Sequence, residues 1–455
     1  MSLTNGSAEA AASAARQAST TLGSLPAEAR NKALDSVHAA LVASKEKILA
    51  ANARDVERVA AADESADAAL VSRLDLSRPG KWDDMLRGVR DVRHLDDPIG
   101  RIQMRTKLDH DLVLERVSCS FGVILVIFEA RPEVIANISS LAIKSGNAAI
   151  LKGGKESTES FQAIAEAISS ALYSSAVPND AIQLVTTRDA VTRLLQQDRY
   201  IDLIIPRGSN QLVRDVKAAT RIPVLGHADG LCAMYLTASA DAVKAAAAVV
   251  DAKTSYPAAC NSVETLLVQE AGLNTVFPEV VKALVGRGVI LRCDEAAKSA
   301  AVASLSMSSK SGEPPAELLS TAIEDAKPAD FETEFLTTTL AVKTVADLEQ
   351  AIQHINHHGS HHTDAILTAD ESEAETFMAR VDSAGVYWNA STRVADGMRY
   401  GFGTEVGIST NKIHARGPVG LDGLTTYKYK LRGDYQPTAQ YGDGKRPWLH
   451  ETLPI

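Results

Sequence analysis

From about residue 8 to residue 63 the chain is rich in alanine, with leucine, valine and isoleucine returning every third or fourth position. That spacing predicts two or three amphipathic helices, which would cover one face of a sheet; a partner-binding bundle is the alternative. The texture changes at about residue 107. Leu112 to Phe128 is β-branched alternation that runs into a continuous apolar stretch, the pattern of a parallel strand buried on both faces. A helix over 133–144, a turn at Ser145, Gly146 and Asn147, a second buried strand over 148–152 and a helix over about 157–174 follow. Further strands are predicted over 182–185 and 201–205. Strand, helix and strand in this rhythm imply a doubly wound α/β sheet, in which ligands sit at the carboxyl ends of the strands.

A second α/β unit is predicted after Gly226, with a strand over 231–236, an alanine-rich helix over 241–252 and a strand over 339–342. Residues 314–328 are the least regular and read as a surface excursion. Residues 424–431 read as an exposed strand able to pair with another subunit's sheet edge, and the chain beyond Gly433 reads either as part of that arm or as a disordered tail.

Composition narrows the classes of function. The 455 residues suit two or three domains, and 47 Lys and Arg against 57 Asp and Glu give a formal charge of −10. That balance argues against a nucleic-acid or anionic-membrane surface, which needs clustered cations. Cys119, Cys232, Cys260 and Cys293 have no paired spacing, so free thiols in a reducing compartment are expected. No bilayer-length apolar run and no secretory or mitochondrial leader is apparent, so a cytoplasmic protein is expected.

Two strand ends carry polar, small residues: Lys152 to Ser157, and Pro206 to Gln211 at a helix start. Such corners admit a diphosphate to backbone N–H groups, although ordinary αβ turns look the same. Cys260 follows Pro257, Ala258 and Ala259 and precedes Asn261 and Ser262, a small-residue turn that a substrate carbonyl can approach. A thiolate is the strongest common nucleophile near neutral pH, while a small buried hydrophobe is the alternative role for such a residue. Five of eleven histidines crowd into 354–362. With no Glu or Cys at ligand spacing inside the segment, a helix end over 349–358 with a Gly stop and solvated imidazoles is expected, and no metal.

The blocks Phe128–Asn137, Lys144–Lys155, Pro206–Asn210, Val224–Gly230, the Cys260 turn, Val386–Arg393 and His414–Pro418 carry a resemblance. From about Ala8 to Gly433 the chain resembles the aldehyde dehydrogenase superfamily, most closely its branch that reduces an acyl phosphate. The resemblance implies an α/β fold with a Rossmann-like cofactor domain (1–103 and 121–228), an α/β catalytic domain (229–405) and a small β oligomerisation arm (104–120 and 406–455). It implies reduction of L-glutamyl 5-phosphate by NADPH to glutamate 5-semialdehyde through a thioester on Cys260. The backbone N–H of Cys260 and the side chain of Asn137 are the implied oxyanion donors. Lys152, Gly153, Lys155, Arg207, Gly208, Ser209 and Glu334 are the implied cofactor contacts, with Lys155 standing where NAD-preferring relatives carry an acidic residue and so favouring a 2′-phosphate. Arg131, Arg393 and Arg416 are candidates for substrate anions, and Asn389 and Ser391 for its amino-acid end.

His227 stands where hydrolytic members carry a water-activating Glu, which implies that the thioester waits for reduction rather than for water. An NAD-dependent hydrolytic dehydrogenase and a scaffold without chemistry are the alternatives. The resemblance further implies a homodimer or higher homo-oligomer, with glutamate 5-kinase as a possible partner.

Overall fold

The computed structural model describes residues 2–3, 7–62, 71, 73–129, 131–185, 189–308 and 321–455. By their internal contacts they fall into two units, one of residues 1–226, 401–407 and 419–455, the other of residues 227–400 and 408–418.

The first unit carries a parallel sheet in the order Ser2–Leu3, Ile182–Leu184, Ala148–Gly153, Val123–Phe128, Leu203–Arg207. Val123 to Phe128 are all buried, as expected of a central strand with helices on both faces. The chain winds outward from this strand to Ala148–Gly153 and Ile182–Leu184, then crosses back to its other side with Leu203–Arg207. The winding therefore reverses beside Val123–Phe128, and a doubly wound sheet opens its ligand crevice at such a reversal. At that edge Phe128 has Gly153 as its register neighbour on one side and Arg207 on the other.

The alanine-rich stretch forms helices Ala8–Leu22, Ala27–Ala43 and Lys45–Ala62, and Ala11, Ala12, Ala15 and Leu22 bury one face of the first. Periodicity raised no expectation for Lys81–His94, yet it is a helix whose Trp82, Met85, Val89 and Val92 are buried between charged positions.

The same unit holds an antiparallel sheet in the order Thr425–Arg432, Leu112–Ser120, Ile102–Asp109, Glu451–Thr452. Two expectations bear on this sheet. Thr425–Arg432 is paired along its length with its own chain, from Thr425 opposite Ser120 to Arg432 opposite Val113, although its outer edge remains the rim of the sheet. The chain beyond Gly433 is also ordered: Tyr441 stacks on Trp448 at 3.9 Å and donates its hydroxyl to buried Asp109 at 2.7 Å.

The second unit is a seven-stranded parallel sheet in the order Ile323–Asp325, Ile290–Cys293, Thr339–Val345, Val263–Gln269, Cys232–Leu236, Thr363–Leu367, Gly385–Trp388. Alternation along the central strands fills both faces. Met234, Leu236, Leu266 and Val268 join one apolar cluster with Val249, Phe277 and Leu284, while Ala233, Tyr235 and Leu267 join another with Ile352, Ile355 and Phe377. The irregular stretch expected from 314 lies, as far as 320, outside the described residues.

Between helix Ala242–Thr254 and strand Val263–Gln269 lies a fully buried ion pair, Lys253 Nζ to Glu264 Oε2 at 2.5 Å. Burial pushes the Glu264 carboxyl up to about 7 and the Lys253 ammonium down, each opposed by its partner. Removing one partner of such a pair leaves an uncompensated group in the interior, whereas replacing both with apolar residues does not. Lys253→Met is thus expected to destabilise this unit by about 3–5 kcal/mol, and Lys253→Met with Glu264→Leu to recover most of the loss, compared as urea midpoints.

Candidate active site

The loop that carries Cys260 spans the gap between those two elements. Asp241 caps the start of Ala242–Thr254 by accepting from Val243 N and Lys244 N at 3.1 Å. After Ser255 two successive turns form, Ala259 N donating to Tyr256 O at 3.1 Å and Ser262 N donating to Ala259 O at 2.9 Å. Cys260 and Asn261 occupy the tip of the second turn. Ser262 Oγ donates back to Ala252 O at 3.1 Å and closes the loop on its helix.

Neighbouring segments hold the tip. Asn261 Nδ2 donates to Ala395 O at 2.8 Å, and Thr392 Oγ1 donates to Asn261 O at 2.7 Å. Behind it lies Gly230, where a β-carbon would come within 2.1 Å of Cys260 O and 2.7 Å of Cys260 Cα. Only hydrogen fits there. The Cys232 thiol, pushed well up by burial, donates to Cys260 O at 3.4 Å.

Arg393, His227 and His362 surround the sulfur's position. The Arg393 guanidinium donates to Asn261 Oδ1 and to Ser255 Oγ at 3.2 Å; burial holds it below its usual value, Arg399 adds to this, and Cys260 acts in the opposite sense. One donor atom from each of His227, Cys260 and His362 lies within 4.8 Å of the other two. His227 Nδ1 faces Ile408 O at 3.0 Å, and because a carbonyl only accepts, a neutral ring carries its proton on Nδ1 and its lone pair on Nε2. His362 Nδ1 lies 2.9 Å from Thr363 Oγ1. Beneath them Asp364, fully buried and pushed up to about 7 by that burial, accepts from Ser383 Oγ at 2.5 Å and Ala233 N at 2.6 Å. A sulfur, a guanidinium and two imidazoles, of which His227 carries its lone pair on Nε2, can perform acyl transfer through a thiolate.

The histidine segment is corrected in part. Leu348–His358 is a helix that stops at Gly359, as expected. His354 and His362 are buried rather than solvated, and burial pushes the His354 imidazole down to about 3. His362 was missed as a neighbour of Cys260 because 102 residues separate them in the chain, and only the adjacency of strands Cys232–Leu236 and Thr363–Leu367 joins them. His227 lies close to Cys260, so the absence of a carboxylate does not leave the sulfur without a titratable neighbour.

The other second-unit candidates have partners of their own. Both amide atoms of Asn389 bond to the Thr368 backbone, at 3.0 and 2.8 Å, with φ at 54°. Ser391 Oγ accepts from Arg393 N at 3.2 Å. Arg416 is ion-paired with Asp382 at 3.0 Å. Glu334 acts electrostatically on Lys253 and Glu264.

In the first unit, Lys152 Nζ donates to Gly153 O, and a β-carbon on Gly153 would strike the Phe161 ring at 2.0 Å. Exposed Lys155 opens the short turn Lys155–Ser157, and Arg58, which the sequence reading missed, donates to Lys155 O at 3.4 Å and Glu156 O at 3.2 Å. The start of helix Thr158–Tyr173 already holds an anion: buried Asp55 accepts from Ser160 N and Ser160 Oγ at 2.7 Å and from Glu159 N at 3.3 Å. Ser209 caps Asn210–Ala219, and its own N–H donates to Glu129 Oε2 at 3.1 Å, an atom that a β-carbon on Gly208 would approach to 2.5 Å. Arg207 Nη1 donates to Glu405 O at 3.4 Å. Exposed Arg131 precedes helix Val134–Ser145, within which Asn137 keeps a buried Oδ1 without a hydrogen-bond partner, 2.5 Å from where a Gly88 β-carbon would stand.

Comparison with known proteins agrees with this architecture. The model of the aldehyde dehydrogenase family matches residues 2–311. The chain belongs to the aldehyde dehydrogenase family. As a member of that family it is 51% identical over 445 residues to a probable gamma-glutamyl phosphate reductase of Schizosaccharomyces pombe, covering 97% of this chain and 96% of the relative. It is 48% identical to the gamma-glutamyl phosphate reductase of Saccharomyces cerevisiae, covering 97% of both. The crystal structure of gamma-glutamyl phosphate reductase from Thermotoga maritima superimposes with a TM-score of 0.86 at 34% identity, covering 95% of this chain and all of that one. The α/β fold and the superfamily expected from the motifs are thus borne out.

In this aldehyde dehydrogenase family member the close approach at Gly230 is open to direct test. Gly230→Ala must displace the Cys260 carbonyl, so thiol-dependent activity is expected to fall by about 100-fold or more while the far-ultraviolet circular dichroism stays that of the parent; parental activity would exclude the constraint.

Proposed function

We propose that the chain catalyses the NADPH-dependent reduction of L-glutamyl 5-phosphate to L-glutamate 5-semialdehyde with release of phosphate, the second step of proline biosynthesis from glutamate. The observation that carries this is near-full-length likeness to gamma-glutamyl phosphate reductases, with a free cysteine at the tip of a turn braced on every side.

Cys260 is the nucleophile. An imidazole of His227 or His362 accepts the thiol proton, and the Arg393 cation favours the thiolate that results. The sulfur forms a bond to the acyl carbon, the bond from that carbon to the phosphate oxygen breaks, and phosphate leaves. Negative charge gathers on the former carbonyl oxygen. The amides at the tip of the Ala259–Ser262 turn, that of Cys260 first, are the supported donors to it, and Asn137 is the side-chain candidate. NADPH, when bound, supplies the two electrons that convert the acyl group to aldehyde and free the sulfur.

For the cofactor, the donor set fits an anionic dinucleotide. Lys152, Gly153, Lys155, Arg207, Gly208 and Ser209 ring the carboxyl edge of the first sheet beside its winding reversal, with Arg58 as a further cation, and Glu334 is the candidate for the nicotinamide ribose. Because Asp55 holds one helix start and Glu129 the other, the phosphates are read there by side-chain cations, and Glu129 must swing away from Ser209 N if a phosphate takes that amide. For the substrate, Arg393 is the first choice for an anionic group, with Ser391 close to it in the chain, and Arg131 is a separate candidate on the first unit. Arg416 and Asn389 would have to give up Asp382 and Thr368.

We further infer a cytoplasmic homo-oligomer, supported by four free thiols and by the outer edge of Thr425–Arg432, where Tyr427, Tyr429 and Leu431 are each about half exposed. Among the described residues no helix is long and apolar enough to cross a membrane. Glutamate 5-kinase remains the proposed supplier of the labile acyl phosphate.

Incubating the chain with glutamate semialdehyde and NADP in the absence of phosphate should leave an acyl group on Cys260, found by peptide mass spectrometry. Cys260→Ser should lose both the adduct and turnover; parental turnover in that variant would refute the mechanism. Lys155→Glu should lower kcat/KM for NADPH by about tenfold or more relative to NADH, since it exchanges attraction for repulsion at the 2′-phosphate. An unchanged ratio would count against Lys155 as the discriminating cation.

A further inference from the structure

We propose that His227, Cys260 and His362 form a binding site for a soft divalent cation of the zinc type, and that its occupancy captures the Cys260 sulfur and reversibly blocks the reaction. The binding claim is independent of the function proposed above, whereas the block rests on Cys260 being the nucleophile. The three residues come from separate segments: His227 from the start of the second unit, Cys260 from the turn tip, and His362 from the residue before strand Thr363–Leu367. One donor atom of each lies within 4.8 Å of the others, and the two imidazoles meet edge to face with centroids 4.8 Å apart.

Clustering alone would not make a site. His362 is only 1% exposed, yet its Nε2 has no hydrogen-bond partner. Its Nδ1 is engaged by Thr363 Oγ1 and faces the Cys232 sulfur at 3.8 Å, so Nε2 is the nitrogen left for the cluster, and a buried orphan of this kind is costly unless something binds it. His227 is oriented in the same manner, Nδ1 against Ile408 O and the lone pair on Nε2. A ring held through one nitrogen by a hydroxyl or carbonyl, with the other presented to a common point, is the outer-sphere arrangement of metal-ligating histidine.

One thiolate and two imidazoles with no carboxylate select zinc, cobalt(II) or cadmium over magnesium or calcium. Bond lengths of about 2.0–2.3 Å in a tetrahedral site space the donors by roughly 3.5 Å, so side-chain rotations of about an ångström close the cluster, and the fourth position remains for water. Binding exchanges the thiol proton, released to solvent, for the cation, and no electron is transferred.

The test titrates the full-length, reduced, chelator-free protein with cobalt(II). A sulfur-to-cobalt charge-transfer band should saturate at one ion per chain, be displaced by zinc, vanish in Cys260→Ser and persist in Cys232→Ala. No band in the parent, or a band that survives Cys260→Ser, overturns the site. His227→Ala should weaken cobalt binding by about tenfold or more, since even an outer-sphere partner is worth that much, and unchanged affinity removes His227 from the ligand set. Zinc should inhibit over the concentrations at which it binds, with activity restored by EDTA, and full turnover at saturating zinc overturns the block. A chain that binds cobalt through Cys260 but never reduces glutamyl phosphate would refute the proposed function and leave the metal site standing.

Discussion

The peptide that bears Cys260 has almost no freedom to move, and that immobility comes first from a missing side chain. Gly230 presses its α-carbon against the Cys260 carbonyl, the Cys232 thiol donates to the same oxygen, and the Asn261 amide and carbonyl are fastened to the segment 392–395. Beneath the loop, Lys253 and Glu264 join the helix that enters it to the strand that leaves. An atom positioned this firmly would need little reorganisation were charge to develop beside it, as the proposed mechanism requires.

Electrostatics around the turn follows from that rigidity. Asn261 and Ser255 aim the Arg393 guanidinium, and the imidazoles are oriented through Nδ1, that of His227 by Ile408 O and that of His362 by Thr363 Oγ1 and the Cys232 sulfur. The second unit concentrates the thiol chemistry, while the first presents glycine-lined corners and cations at the carboxyl edge of a sheet.

Much of this was legible in the sequence because it is local. Continuous apolar runs such as Val123–Phe128 announce strands covered on both faces, and a cysteine following Pro257, Ala258 and Ala259 announces an approachable sulfur. What escaped was either non-local or disguised. His362 and Arg58 matter through strands and helices far from them in sequence, which periodicity cannot sense. Lys81–His94 hides a regular apolar stripe among charges, and Tyr441 is held only because Asp109 and Trp448 receive it. Arg416 and Asn389, singled out as polar residues in family motifs, turned out to have Asp382 and Thr368 as partners, which no reading of motif chemistry reveals.

Asp55 has a wider consequence. By satisfying the first amides of helix Thr158–Tyr173 from a separate helix, and itself pairing with Arg58, it occupies the backbone donors that would otherwise greet a phosphate at that corner. Under the proposed function, selectivity for the nucleotide would therefore fall less to backbone, which evolution alters with difficulty, than to a few solvent-facing side chains around Lys155, which it alters easily. A lineage with this scaffold could drift between the two nicotinamide currencies through surface substitutions alone, without disturbing the interior.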